Sequence, residues 1–172
     1  LASMLCLQVA FAQETQHVYL SGTDKDHTVN WDFYCSSGHH SGKWTTIPVP
    51  SNWELQGFGD YNYGHDKVKA HEEGTYRFRF QAPANWRQRQ VNIVFDGVMT
   101  DAAVKINGHL AGDVHQGGFY RFSYDISELL HNGSNVLEVK VSKMAANAWV
   151  NRAERNGDFW VLRGIYRPVF LE

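Results

Sequence analysis

The stretch Thr75-Tyr-Arg-Phe-Arg-Phe-Gln81 decides the fold class. Aromatic and polar residues alternate in it with a period of two, and such a pattern fits a strand with one face in a core and the other in water. Downstream, Gln90-Val-Asn-Ile-Val-Phe-Asp96 and Asn135-Val-Leu-Glu-Val-Lys-Val-Ser142 repeat the alternation with β-branched residues. Val104-Lys-Ile-Asn-Gly-His-Leu-Ala111 sets Asn107-Gly108 between two short runs, a hairpin signal, because both central residues of a type I′ turn need positive φ. Phe119-Tyr-Arg-Phe-Ser-Tyr-Asp125 supplies a further strand, Ser127 to Leu130 one helical turn, and Asn132-Gly133 a reversal. Pro168, inside the strand-like stretch from Tyr166 to Leu171, argues for a sheet edge or for a chain leaving the domain. No apolar i, i+3, i+4 stripe persists for three turns. The expectation is therefore an all-β antiparallel sandwich with less than about 15% helix, well under the usual third.

Composition narrows the class of function. The 172 residues suffice for one domain with a substantial core, and no repeat or Pro/Gly/Ser linker divides them. Sixteen Lys and Arg against eighteen Asp and Glu leave a net charge of −2 without a run of either sign, so nucleic acid is not expected as a partner. Six Trp, eight Tyr and ten Phe exceed what such a core usually needs. That excess suits a β-rich domain and also suits sugar, whose apolar C–H face stacks well on an aromatic ring.

The first residues, Leu1 to Gln13, form an almost uncharged apolar run that closes on Ala10-Phe11-Ala12. This resembles the end of a secretory signal more than a buried first helix, and it is too short to cross a bilayer. The expected organisation is a signal remnant over 1–12 and one domain over 13–172, with export to the periplasm or the medium and no membrane span. Removing the signal leaves Cys35 alone, to be read as a small apolar residue in a strand.

Phosphate loops, CxxC pairs, HExxH and GxSxG are absent from the sequence. The nine histidines are dispersed, and the adjacent pair His39-His40 has no cysteine beside it, so neither a metal nor a cofactor is expected. Glycoside hydrolysis needs two carboxylates about 5–10 Å apart. Nothing singles out such a pair among Asp60, Asp66, Glu72, Glu73, Asp101, Asp113, Glu154 and Asp158, most of which read as solvated loop acids. Trp53, Tyr61, Tyr63, Trp149 and Trp160 lie in or near turn-rich segments, as sugar platforms or as ordinary packing.

An ordered set of segments resembles the N-terminal sugar-binding domain of glycoside hydrolase family 2, the β-galactosidases, β-glucuronidases and β-mannosidases. They are Ile47-Pro-Val-Pro-Ser-Asn-Trp-Glu54, Gly74-Thr-Tyr-Arg-Phe-Arg-Phe80, Val94-Phe-Asp-Gly-Val98, Val104-Lys-Ile-Asn-Gly-His109, Gly117-Gly-Phe119 with Phe122-Ser-Tyr-Asp-Ile-Ser127, Gly133-Ser-Asn-Val-Leu137 and Asp158-Phe-Trp-Val-Leu-Arg-Gly-Ile-Tyr-Arg-Pro-Val169. The resemblance implies a galactose-binding-like jelly roll, followed beyond Glu172 by an immunoglobulin-like sandwich and a TIM barrel that carries both catalytic glutamates. No residue of this chain is then catalytic.

In the family's galactosidase and glucuronidase members an Asp just before an aromatic pair, ahead of the Gly-Ile-aromatic-Arg ending, hydrogen-bonds the terminal sugar, and Asp158, followed by Phe159-Trp160, matches it. Many galactosidases add an Asn from an Asn-Pro-x-Gly stretch, where this chain reads His71-Glu72-Glu73-Gly74. Asp158, Trp160 and His71 are thus the implied substrate-binding residues, and this departure leaves galactoside, glucuronide and mannoside open. The function implied is the non-catalytic domain of an exported retaining β-glycosidase, first of all a β-galactosidase. The alternative is a free-standing carbohydrate-binding module or lectin.

Overall fold

Alternation of the kind seen at Thr75 to Gln81 puts every second side chain on one face, and the sheets of this protein bury that face. A computed structural model describes residues 14–61, 72–86, 89–155 and 162–172. In chain order its strands are β1 (Val18–Tyr19), β2 (Val29–Cys35), β3 (Trp44–Val49), β4 (Glu73–Gln81), β5 (Asn92–Phe95), β6 (Val98–Met99), β7 (Asp101–Ile106), β8 (His109–Leu110), β9 (Phe122–Asp125), β10 (Ser134–Ser142), β11 (Gly164–Ile165) and β12 (Val169–Leu171). A six-stranded sheet runs β3-β2-β4-β10-β7-β8, a four-stranded sheet β1-β12-β5-β9, and β11 with β6 forms a small third sheet. All of these pairs are antiparallel.

The longest pairing joins β4 to β10 over nine residues, from Ser134 opposite Gln81 to Ser142 opposite Glu73. Tyr76 and Phe80 of β4 and Leu137, Val139 and Val141 of β10 are buried. They share one core with Trp31, Phe33 and Cys35 of β2, Ile93 and Phe95 of β5, and Val169 and Leu171 of β12. Arg77 and Glu138, opposite each other in the register, form an ion pair at 3.0 Å on the half-exposed outer face.

The all-β expectation holds, and so does the strand reading of Cys35, whose thiol burial pushes up to about 11. Asn107 and Gly108 take φ of 52° and 86° in the turn from β7 to β8. The Asn107 side chain fixes that turn, donating to Leu129 O at 2.8 Å and accepting from Val136 N at 2.9 Å. Among the described residues the sole α-helix is α1 (Ala148–Arg155), capped where Asn147 Oδ1 accepts from Trp149 N at 2.9 Å.

One strand differs from the sequence expectation. Pro168 lies just before β12, and β12 is an interior strand between β1 and β5, not an edge. The proline has no N–H to give, but its carbonyl still accepts from Asp96 N at 3.0 Å, so the chain enters the sheet without losing a ladder donor.

Leu137 sits fully buried between Phe78 and Ile106 in the register. Leu137→Ala is expected to lower the unfolding free energy in urea by about 2–5 kcal/mol, because a cavity in a close-packed sheet collapses only partly. A loss below about 1 kcal/mol would contradict this core.

Candidate functional site

His71, Asp158 and Trp160, the three implied sugar contacts, lie outside the described residues, as do Asp66 and Tyr63. The chain before and after 62–71 and the chain after 156–161 are described, and they meet at one buried cluster. The clasp begins with the segment after β3. Ser51 N donates to Ile165 O at 2.8 Å and Trp53 N to Arg163 O at 2.9 Å, so Ser-Asn-Trp-Glu and Arg-Gly-Ile, far apart in sequence, lie side by side. Gly164 permits this approach at a φ of 124°, since a Cβ there would stand 2.7 Å from Tyr76 Oη and 2.8 Å from Ser51 O.

Four charged side chains are buried at this clasp. Lys143 and Glu72 extend β10 and β4 by one residue beyond Ser142 and Glu73, and Lys143 N donates to Glu72 O at 2.9 Å. Inward-facing parity continues through both, from Val139 and Val141 to Lys143 and from Tyr76 and Gly74 to Glu72. The Lys143 ammonium donates to both Glu72 carboxylate oxygens at 3.3 Å and to Asp60 O at 2.6 Å. Glu54 Oε1 lies 3.6 Å from it. Glu72 Oε1 also accepts from Trp53 Nε1 at 2.9 Å, and Oε2 from Asp60 N at 3.2 Å. At Gly59 a Cβ would fall 2.1 Å from Glu72 Oε1, so only glycine leaves the carboxylate its place.

Arg163 is completely buried. Its Nε donates to Lys143 O and its Nη1 to Leu162 O at 2.9 Å, while its backbone N donates to Glu54 Oε2 at 2.7 Å. Two cations and two carboxyl groups thus sit within one core, each with hydrogen bonds to backbone, which is the condition under which buried polar and charged groups are tolerated.

The loop acids divide accordingly. Glu72 and Asp101, two of the acids of which most were expected to be solvated, are buried at 2% and 5% exposure. Asp101 Oδ2 accepts from Ala146 N at 2.8 Å and from Gln116 Nε2 at 3.2 Å. Glu154 takes Gly118 N on both oxygens at 3.0 Å. Trp53 is core, whereas Trp149 is 73% exposed on α1. Lys143, Glu54 and Arg163 escaped the sequence reading, although Lys143 continues the inward parity of Val139 and Val141. The signal becomes readable once β4 is known to pair with β10. Among the described residues no group of three or more His, Cys, Asp or Glu is placed to hold a metal ion.

Residues 36–172 match the family described as glycosyl hydrolases family 2, sugar binding domain. The chain belongs to this family. A β-galactosidase of Priestia megaterium is 30% identical over 144 residues, covering 75% of this chain and 13% of that protein. A β-galactosidase of Psychromonas ingrahamii is 31% identical over 156 residues, covering 85% and 14%. Among solved structures, an FMN-binding β-glucuronidase of Facaelibacterium prausnitzii superposes with a TM-score of 0.68 at 25% identity, over 91% of this chain and 22% of that one. A β-glycosidase of Bacteroides vulgatus does so at 0.63 and 26%, over 92% and 20%. The chain therefore spans about one seventh of the length of these curated relatives. Its likeness to the family lies in the jelly roll and the sugar-binding domain, as the ordered motifs implied.

Burial is the largest influence on the Glu54 carboxyl and lifts it from 4.5 to about 7, against the lowering effect of the Arg163 N–H bond and of Lys143. The folded protein then holds a proton that the unfolded chain has lost between these two values. The resulting stabilisation is full below about pH 4.5 and is lost as pH rises through about 7. Urea unfolding from pH 5 to pH 8 is expected to show wild-type stability falling relative to Glu54→Gln by roughly 1–3 kcal/mol. A difference between the two proteins that stays flat with pH would contradict the burial of this carboxyl.

Proposed function

We propose that this chain is the non-catalytic N-terminal sugar-binding domain of an exported retaining β-glycosidase of the β-galactosidase type. The observation that carries the reading is the match to curated β-galactosidases at 30–31% identity over most of this chain. In this reading residues 1–12 are the remnant of an export signal, 13–172 are the domain, and the protein works in the periplasm or the medium. An immunoglobulin-like domain and a TIM barrel follow Glu172, and the barrel supplies the nucleophile and the acid/base glutamate about 5 Å apart. The substrate is a β-galactoside or a related glycan, and no cofactor takes part in the reaction.

The domain's task is to bind and orient. A carboxylate at Asp158 accepts two hydroxyl hydrogen bonds from the terminal sugar, and charge-assisted bonds of this kind contribute about 1.5–3 kcal/mol each where water is excluded. Trp160 offers a ring for the apolar sugar face. His71, where many galactosidases carry Asn, offers one donor or acceptor nitrogen toward the same ring.

In the full-length protein, Asp158→Ala is expected to lower kcat/KM for a nitrophenyl β-galactoside about ten- to a hundredfold while the melting temperature stays close to wild type. Wild-type kinetics would remove Asp158 from the sugar site. The 172-residue chain alone is expected to show no turnover of the same substrate.

A further inference from the structure

The outer face of the six-stranded sheet carries polar side chains where the inner face carries the core. In the register Thr46 lies opposite Asp32, Asp32 opposite Arg77, Arg77 opposite Glu138 and Glu138 opposite Lys105, so these five form one row on strands about 4.8 Å apart. In the adjoining row Trp44 lies opposite Tyr34, Tyr34 opposite Thr75 and Thr75 opposite Lys140. All of these residues belong to described strands.

Trp44 is 46% exposed, yet its indole is braced. The Arg77 guanidinium carbon stands 4.3 Å from the ring centroid, and Arg77 Nη2 donates to Glu138 Oε2 at 3.0 Å, so the ring on β3 is steadied from β4 and β10. The Tyr34 ring lies beside it at 5.7 Å, inclined by 46°. Two rings held in place before a ligand arrives lose little side-chain freedom on binding it.

The charges on this face nearly balance. Asp32, Glu73 and Glu138 stand against Arg77, Lys105 and Lys140, with Lys140 holding Glu73 at 2.8 Å, and Arg79 adds one positive charge in the row beyond. A polyanion finds no concentrated basic surface here. A protein partner would need an uncharged apolar centre where Arg77 and Glu138 stand, on the middle strands. An uncharged glycan fits both features: its apolar C–H faces stack on the rings, its hydroxyls donate to Asp32 and Glu138, and the same hydroxyls accept from the remaining N–H groups of Arg77.

We propose that this sheet face is a glycan-binding surface whose ligand is an uncharged polysaccharide, with Trp44 and Tyr34 as the stacking platform and Asp32, Arg77 and Glu138 as the hydroxyl contacts. It draws on none of Asp158, Trp160 and His71.

The test is affinity electrophoresis of the full-length protein in native gels that contain β-1,4-galactan, arabinoxylan or hydroxyethylcellulose, with polygalacturonate as the charged comparison. At least one of the three uncharged polymers is expected to retard the wild type, and polygalacturonate is not. Trp44→Ala should weaken that retention at least about tenfold in dissociation constant, and Trp44→Tyr should restore most of it, with both melting temperatures close to wild type. Asp158→Ala should keep wild-type retention whatever its kinetics. Should Trp44→Ala lower the melting temperature, Asp32→Ala, at an exposed side chain, carries the test with the same sign.

Free migration of the wild type in all three uncharged polymers overturns the inference, and equal retention by polygalacturonate overturns the choice of ligand with it. Wild-type retention in Trp44→Ala also overturns it; if Asp158→Ala is then the variant that loses retention, the polymer sits at the sugar site proposed above. A Trp44→Ala protein that sediments as a different oligomer shows the face to be a protein contact, which overturns it too.

Discussion

The nine-residue antiparallel register between β4 and β10 is the constraint on which the rest depends. It places Tyr76 against Val139 and Gly74 against Val141, and one step further it places Glu72 against Lys143. Because side chains alternate with a period of two, the apolar pairs and the charged pair face the same core. A slip of one residue would turn all of them to solvent and bury Arg77 and Glu138 in their stead. The hydrophobic pattern that fixes the sheet therefore also fixes a buried salt bridge, and the two features are not independent.

The salt bridge in turn sets how the ends of the sandwich are closed. The Lys143 ammonium lies beside the carboxyl groups of both Glu54 and Glu72, and Glu54 also accepts from the backbone N–H of Arg163, whose guanidinium donates to Lys143 O and Leu162 O. Burial lifts Glu54 while Glu72 accepts from the Trp53 indole, the Asp60 amide and the Lys143 ammonium. A core closed by Val and Leu alone would have left no charge to desolvate. The charged one ties the end of β10, the end of β4 and the entry to β11 to one another through bonds of fixed direction.

Much of the fold is legible in the sequence. Thr75 to Gln81, Asn135 to Ser142 and the Asn107-Gly108 turn carry local patterns that packing reinforces, and they appear where those patterns place them. Pro168 misleads because the rule about proline concerns donors inside a ladder, and the ladder of β12 starts one residue later. The cluster is harder to see for a different reason. Glu72 and Lys143 are ordinary polar residues in their own segments, and their burial follows from strand pairing across 71 positions, which no local window reveals. Asp158, Trp160 and His71 enter through family likeness, and composition and periodicity do not distinguish them from other loop residues.

The family's sugar-binding domain is thus present here on a sandwich whose chain flanks are anchored by buried charge. The most direct test of the account is a crystal structure of the full-length protein with its terminal sugar bound. The account predicts a carboxylate oxygen of Asp158 at hydrogen-bond distance, about 3 Å or less, from a sugar hydroxyl, with Lys143 buried between Glu54 and Glu72 and out of contact with the sugar. A sugar bound with no atom of this domain within about 4 Å would contradict it.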